Sequence, residues 1–582
     1  MAEQLPLEDV PFDAVARDVH VVSNREPYRH EFVAPDDGSD GGSDGGSDGG
    51  SDGGADDAED DGPADPPDAT GGDVVVDRPT GGLTAGLDPV MQRLEGTWIA
   101  WGDGDADFAV CDDRGRVAVP PDDPSYTLRR VRLSDAEVEG YYEGYANRAL
   151  WPLCHTQTGQ LRFDADDWET YQAVNRRFAA VTAANVDDDS TVWFQDYHLA
   201  LAPRYLRAET DALLMQFWHV PWPAADVFRV SPHAEALLDG LLANDLLGFH
   251  VPRYCENFLD SVEEIVDDAD VVRREGTGRQ EGTGRQRTVH HGTVHYGDRP
   301  TRVGAFPLAV DADGIREQAE ATHGEAATAF RRRHDIDPCL PIVLGVDRLD
   351  YTKGIPERLD ALEHLWETRP SLRGAFTFVQ KGRESREAIP AYRELQSEVA
   401  ARVERINDRF GTESWRPVVE TREFLPTERL YGLYRDADVA LVTPLRDGMN
   451  LVAKEYVAAQ GAGFDADAEA VADAEAVADA DAVADADTVA DADVGSAGDG
   501  VLVLSRFAGA YDQVGDAAVG VNPYDVPGTA AAVERALEMD AGERRVRMRR
   551  LHEQVADGSV EGWIQSVFAA AAAVGERRRR EA

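Results

Sequence analysis

Residues 341–366 read PIVLGVDRLDYTKGIPERLDALEHLW. A short apolar run breaks into a polar turn closed by Lys353-Gly354, after which Ile355, Leu359, Leu362, Leu365 and Trp366 recur at helical spacing. A strand followed at once by a helix is the repeating unit of a parallel sheet. The polar turn falls at the strand's carboxyl end, where open α/β sheets hold ligands. Working outward, similar apolar runs occur at 19–23, 191–194, 215–218 and 246–249, and again at 375–379, 439–443 and 501–504. Helices are expected at 202–208, 355–366 and 451–460. The strands fall into two groups around residue 310, so the expected fold is α/β, two Rossmann-like domains facing across a cleft.

The length of 582 residues agrees, since it exceeds what one hydrophobic core organises. The expected domains are 15–308 and 309–575, with the last helix packing back on the first. Asp and Glu outnumber Lys and Arg by 110 to 58, leaving a net charge of −52 that disfavours nucleic acid and anionic membranes as partners. Lysine occurs only at 353, 381 and 454. An acid-rich, lysine-poor surface suits a cytosol of high salt, where screening acts over a few Å. Cys111, Cys154, Cys255 and Cys339 form no C-x-x-C pair, and no secretory leader or long apolar span is visible, which predicts a cytoplasmic protein.

Three tracts read as inserted surface loops: Gly-Ser-Asp repeats at 36–70, a doubled Glu-Gly-Thr-Gly-Arg-Gln at 275–286 and an Ala-Asp cycle at 464–494. The Asp485-Ala-Asp487-Thr488-Val489 match to a phosphatase loop sits inside the last tract without the apolar strand such a site requires, and reads as repeat.

Chemistry collects at the strand ends. Arg25 follows the first strand, and Gly81-Gly82 offers bare backbone N–H groups entering a helix. Asp196 and His219 close two further strands. Arg348 and Lys353, five residues apart on a strand-to-helix loop, can together hold a diphosphate. Residues 443–455, TPLRDGMNLVAKE, run from a strand through a Gly turn into a helix whose N-terminus suits an anion or sugar hydroxyls, with Glu455 placed for a ribose diol.

These last two motifs, with VVSNR at 21–25, ALWP at 149–152, DYHL at 196–199 and DLLGF at 245–249, resemble the trehalose-6-phosphate synthase family of retaining GT-B glycosyltransferases over roughly residues 18–560. The resemblance implies that Arg25, Tyr142, Trp151 and Arg386 hold the phosphate end of glucose 6-phosphate, with Asp196 near the acceptor sugar. Arg348, Lys353 and Gly82 would hold the donor diphosphate, and Phe424 would lie near the base. Leu451 and Val452 would line the nucleotide pocket beside Ala453 and Lys454, with Glu455 on the ribose. Asp447, His219 and the backbone of Gly448, Met449 and Asn450 would hold the transferred glucose.

Retention without an evident carboxylate pair implies a front-face displacement, in which the leaving phosphate helps to deprotonate the attacking hydroxyl. Asp447, Arg348, Lys353, His219 and Asp196 would carry catalysis. No metal and no cofactor is expected, the nucleotide sugar being a co-substrate, UDP-glucose before other bases. The implied partners are small molecules, with assembly into a homo-oligomer left open and a separate trehalose-6-phosphate phosphatase expected. Two alternatives stand: a related osmolyte synthase using glycerol 3-phosphate, and a catalytically dead sugar-phosphate sensor. Ala309 replaces a usual glycine, and the KGRESR stretch at 381–386 leaves Arg383 as a rival to Arg386.

Overall fold

The computed structural model describes residues 18–33, 73–78, 82–94, 96–274, 289–461 and 500–581; the three low-complexity tracts and Gly81 lie outside them. The first sheet has ten strands: β1 (Val19–Ser23), β4 (Gly96–Trp101), β5 (Arg116–Val119), β6 (Tyr126–Val131), β7 (Thr191–Gln195), β8 (Leu213–Trp218), β9 (Leu246–Phe249), β10 (Asp270–Arg273), β11 (Val289–Tyr296) and β12 (Arg299–Ala305). A separate hairpin pairs β2 (Arg29–Phe32) with β3 (Val74–Asp77). The second sheet holds β13 (Ile342–Arg348), β14 (Thr377–Arg383), β15 (Val418–Thr421), β16 (Val439–Val442), β17 (Val501–Ser505) and β18 (Val519–Val521).

The second sheet runs β15-β14-β13-β16-β17-β18 and is parallel throughout. This is the 3-2-1-4-5-6 order of a dinucleotide-binding fold, whose direction reverses between β13 and β16. The first sheet runs β10-β11-β12-β9-β8-β7-β1-β4-β6-β5, with its reversal between β1 and β7. β1, β7, β8 and β9 are buried along their whole length, as strands covered on both faces must be. Antiparallel β5, β10 and β11 make this sheet mixed, where a purely parallel one is the simpler expectation.

Several boundaries differ from the sequence expectation. β13 extends to Arg348 and β14 starts at Thr377 and extends to Arg383, because the ladder continues through Asp347↔Gly382 and Arg348↔Arg383. Arg348 is therefore the last strand residue, not a loop residue. β6 went unread because YTLRRV breaks its apolar run with Arg129 and Arg130, yet Arg130 is fully buried. The segment Val138–Leu150 winds as a π-helix, ending where Trp151 N–H donates to Ala146 O five residues back. Such wide turns collect at functional sites. The final helix, Val560–Glu581, lays Trp563, Val567 and Phe568 against Trp193, Phe217 and Leu246 of the first sheet.

Candidate functional site

At the first reversal, β1 delivers Arg25 and β7 delivers Asp196. Asp196 takes the left-handed region, φ 63°, a conformation non-glycine residues enter at a cost. Its N–H donates to Phe217 O at 2.7 Å, and its Oδ1 accepts from His219 N–H at 3.2 Å. Burial pushes its carboxyl up to about 7, against backbone N–H groups that favour the charged form. His219 donates from Nε2 to Gln195 Oε1 at 3.0 Å, and burial holds its imidazole neutral.

The π-helix carries Tyr142 beside them. Arg25 Nη2 donates to the Tyr142 hydroxyl at 3.0 Å. Arg386 crosses from the other sheet: it donates to Tyr392 OH at 2.6 Å and Tyr197 OH at 3.3 Å, and its guanidinium lies 4.1 Å from the Trp151 ring centre. Burial alone would raise the Tyr142 phenol, but the Arg386 and Arg25 charges outweigh it and bring it down to about 8. Two guanidiniums meeting at one phenol make a receptor for a compact anion. Arg386 holds φ 53°, which swings its side chain into the cleft, while Arg383 stands exposed at the end of β14. The geometry brings Arg386 to the site and leaves Arg383 outside.

A buried network braces this corner. Arg130 Nε donates to Glu26 Oε2 at 2.6 Å and its Nη2 lies 2.9 Å from Asp107 Oδ1. Burial and a bond shared with Asp107 push Glu26 up to about 10. Glu26, Asp103 and Asp107 bring carboxylate oxygens within 4.8 Å, a spacing metals use, but Arg130 already answers two of them.

At the second reversal, Arg348 ends β13 and Lys353 precedes Gly354, whose φ of 64° turns the chain into the helix Ile355–Thr368. Lys353 Nζ pairs with Asp447 Oδ2 across the reversal. Burial would raise Asp447, and Lys353 outweighs it, keeping the carboxylate below its usual range. Asn450, at φ 70°, donates to Asp447 Oδ2 at 3.1 Å and accepts from Ala453 N–H at 3.2 Å, capping the helix Leu451–Gln460. Gly448 faces the first domain so closely that a Cβ there would stand 2.0 Å from His219 O. Met449 is buried, and Leu451 and Val452 are half-buried at the helix start. Buried Lys454 donates to Leu308 O at 2.5 Å, and burial lowers it to about 7. Glu455 accepts from Tyr434 OH at 3.4 Å, with burial pushing it up to about 7. Phe424, three residues beyond β15, is 72% exposed at the same carboxyl edge. Gly82 opens the helix Gly82–Met91.

Residues beyond those expected also join the site. Buried Asp350 accepts from Thr352 N–H at 3.0 Å and lies 3.6 Å from Arg386, linking the two arginine groups. Tyr254 OH donates to Asp447 O at 2.9 Å across the cleft. His155 packs on Trp151 at 4.1 Å between ring centres. Only the i, i+4 spacing of Trp151 and His155 hints at it in the sequence.

Residues 68–573 match the family model described as glycosyltransferase family 20. The trehalose-6-phosphate synthase of Mycolicibacterium smegmatis is 35% identical over 501 residues, 86% of this chain and 88% of that protein. Among solved structures, an alpha,alpha-trehalose-phosphate synthase (UDP-forming) from Burkholderia xenovorans in complex with glucose-6-phosphate superposes with a TM-score of 0.71 at 27% identity, over 95% of this chain and 99% of that one. The E. coli trehalose-6-phosphate protein bound with UDP-2-fluoro glucose gives a TM-score of 0.71 at 26% identity, over 95% of this chain and 98% of that one.

Proposed function

This chain belongs to glycosyltransferase family 20, and from that premise we propose that it moves glucose from UDP-glucose onto glucose 6-phosphate to make α,α-trehalose 6-phosphate. The observation that carries the reading is the meeting of Arg25 and Arg386, one from each domain, at Tyr142 and Trp151. That corner takes the 6-phosphate. Across the cleft, Arg348 and Lys353 take the diphosphate, Glu455 the ribose, and Asp447 with the Gly448–Asn450 backbone the transferred glucose.

Negative charge grows on the diphosphate as the glycosidic bond breaks, so Arg348 and Lys353 stabilise the transition state more than the ground state. The leaving phosphate oxygen, on the face the acceptor attacks, receives the acceptor proton. Asp196 and His219 hold the acceptor and donor sugars in line. In this scheme arginine and lysine supply the cationic charge, and no metal takes part. The product keeps its phosphate monoester, which a separate phosphatase would remove.

Purified protein in molar KCl, given UDP-, GDP- and ADP-glucose with glucose 6-phosphate, should form the α,α-linked disaccharide phosphate fastest from UDP-glucose. Preference for glycerol 3-phosphate as acceptor, or no turnover with any donor, would overturn the reading.

A further inference from the structure

His155 caps the short helix Trp151–Cys154 and is 2% exposed. Its Nδ1 lies 2.8 Å from Trp151 O. A carbonyl only accepts, so Nδ1 carries the hydrogen, and a neutral ring then presents Nε2 as a bare lone pair. Burial keeps the ring neutral, bringing it to about 4 against the carboxylate of Asp350. The imidazole stacks on Trp151, whose ring also lies beneath the guanidiniums of Arg386 at 4.1 Å and Arg348 at 5.6 Å. Asp350, Asp447 and Lys353 are the charged groups close enough to act on it. It therefore stands between the corner that takes the acceptor phosphate and the turn that takes the diphosphate.

Anions on either side of His155 are met by cations, and a lone pair would repel them. A neutral hydroxyl is the group that such an acceptor selects. Building on the proposed reaction, we propose that His155 is a specificity-determining residue whose Nε2 accepts a hydrogen bond from one hydroxyl of the glucose units held between Trp151 and Asp447. A site built to bond a hydroxyl rejects the analogue lacking it, because the buried acceptor is left without a partner.

The test is a hydroxyl-deletion cycle. Wild type and His155→Phe, which keeps a ring on Trp151, are assayed with UDP-glucose and glucose 6-phosphate and with each monodeoxy form of either sugar. His155→Phe should lower kcat/KM for the native pair by about 10- to 100-fold, the size of one buried hydrogen-bonding group left unmatched. For one deoxy sugar the two losses should not multiply: wild type is already slow with it, and the variant is no slower. Losses that multiply for every deoxy sugar, or a variant within about two-fold of wild type, would overturn the assignment. Should His155→Phe fail to fold, the ¹⁵N resonance of His155 Nε2 in wild type decides: adding UDP with α,α-trehalose 6-phosphate, which carries both glucose units, should shift it, and an unmoved resonance rejects the idea. Absence of wild-type turnover would instead sink the proposed reaction itself, and the His155 assignment with it.

Discussion

At the β13/β16 reversal the cation Lys353 is already paired with Asp447, whereas at the β1/β7 reversal Arg25 and Arg386 converge on Tyr142, a phenol without a full charge. Arg386 keeps Asp350 of its own domain at 3.6 Å, and Asp103 acts on Arg25 without forming an ion pair with it. Lys353 thus arrives in direct contact with a carboxylate, and Arg25 in direct contact with a phenol. A diphosphate entering must share Lys353 with Asp447, while a phosphate monoester displaces no carboxylate from Arg25. The donor side should therefore express its charges in catalysis and the acceptor side in affinity.

The sharpest way to break this contrast is at the donor turn. Arg348→Ala and Lys353→Ala should each lower kcat by about 10²-fold or more, since each removes charge from the leaving diphosphate. Near-normal kcat in steady-state assays would remove the distinction. On the acceptor side, Arg25→Ala or Arg386→Ala should raise KM for glucose 6-phosphate by about 10- to 100-fold and leave KM for the nucleotide sugar almost unchanged. An Arg25→Ala variant that loses donor affinity instead would place that arginine on the wrong substrate.

A smaller effect sharpens the same point through pH. Tyr142 is held below its ordinary range, at about 8, so raising pH through that value adds a phenolate between the guanidiniums. That anion competes with the phosphate, and KM for glucose 6-phosphate should climb above pH 8. Tyr142→Phe should flatten the climb at a cost of a few-fold in KM at neutral pH, the size of one lost hydrogen bond. A climb that persists in the variant would assign the titration elsewhere. The smallest effect belongs to the acidic tract. Gly500 N–H donates to Gln460 Oε1 at 3.3 Å, so the chain on either side of the insertion already meets. Deleting residues 464–494 should leave kcat within about two-fold in high salt, because a sequence of this composition buries too little apolar area to add much to the fold. Loss of folding, followed by circular dichroism, would show that the tract has a structural role.

What the sequence discloses follows from how local the determinants are. The β13 turn is legible because an apolar run stops abruptly at Asp347, and Gly354 supplies the left-handed residue that starts the next helix. The helix start at Leu451 reads equally well, just beyond the turn at Gly448. β6 is hidden because Arg130 is buried for the sake of Glu26 and Asp107, partners 104 and 23 residues away in the chain. The choice between Arg383 and Arg386 depends on which side chain reaches Tyr197 and Trp151, partners far away in the chain. Asp350 matters through Arg386, a neighbour brought in by tertiary packing, and His155 is hinted at only by its i, i+4 spacing from Trp151.

All three lysines of the chain are withdrawn from the surface: Lys381 and Lys454 are 8% and 4% exposed, and Lys353 is tied to Asp447. Reagents that seek primary amines, acylating labels and aldehyde cross-linkers among them, would then reach these side chains slowly. The first of the three to react as conditions harden would be Lys353, the most exposed at 13%, and protection of it by UDP-glucose would turn a labelling inconvenience into a footprint of the donor.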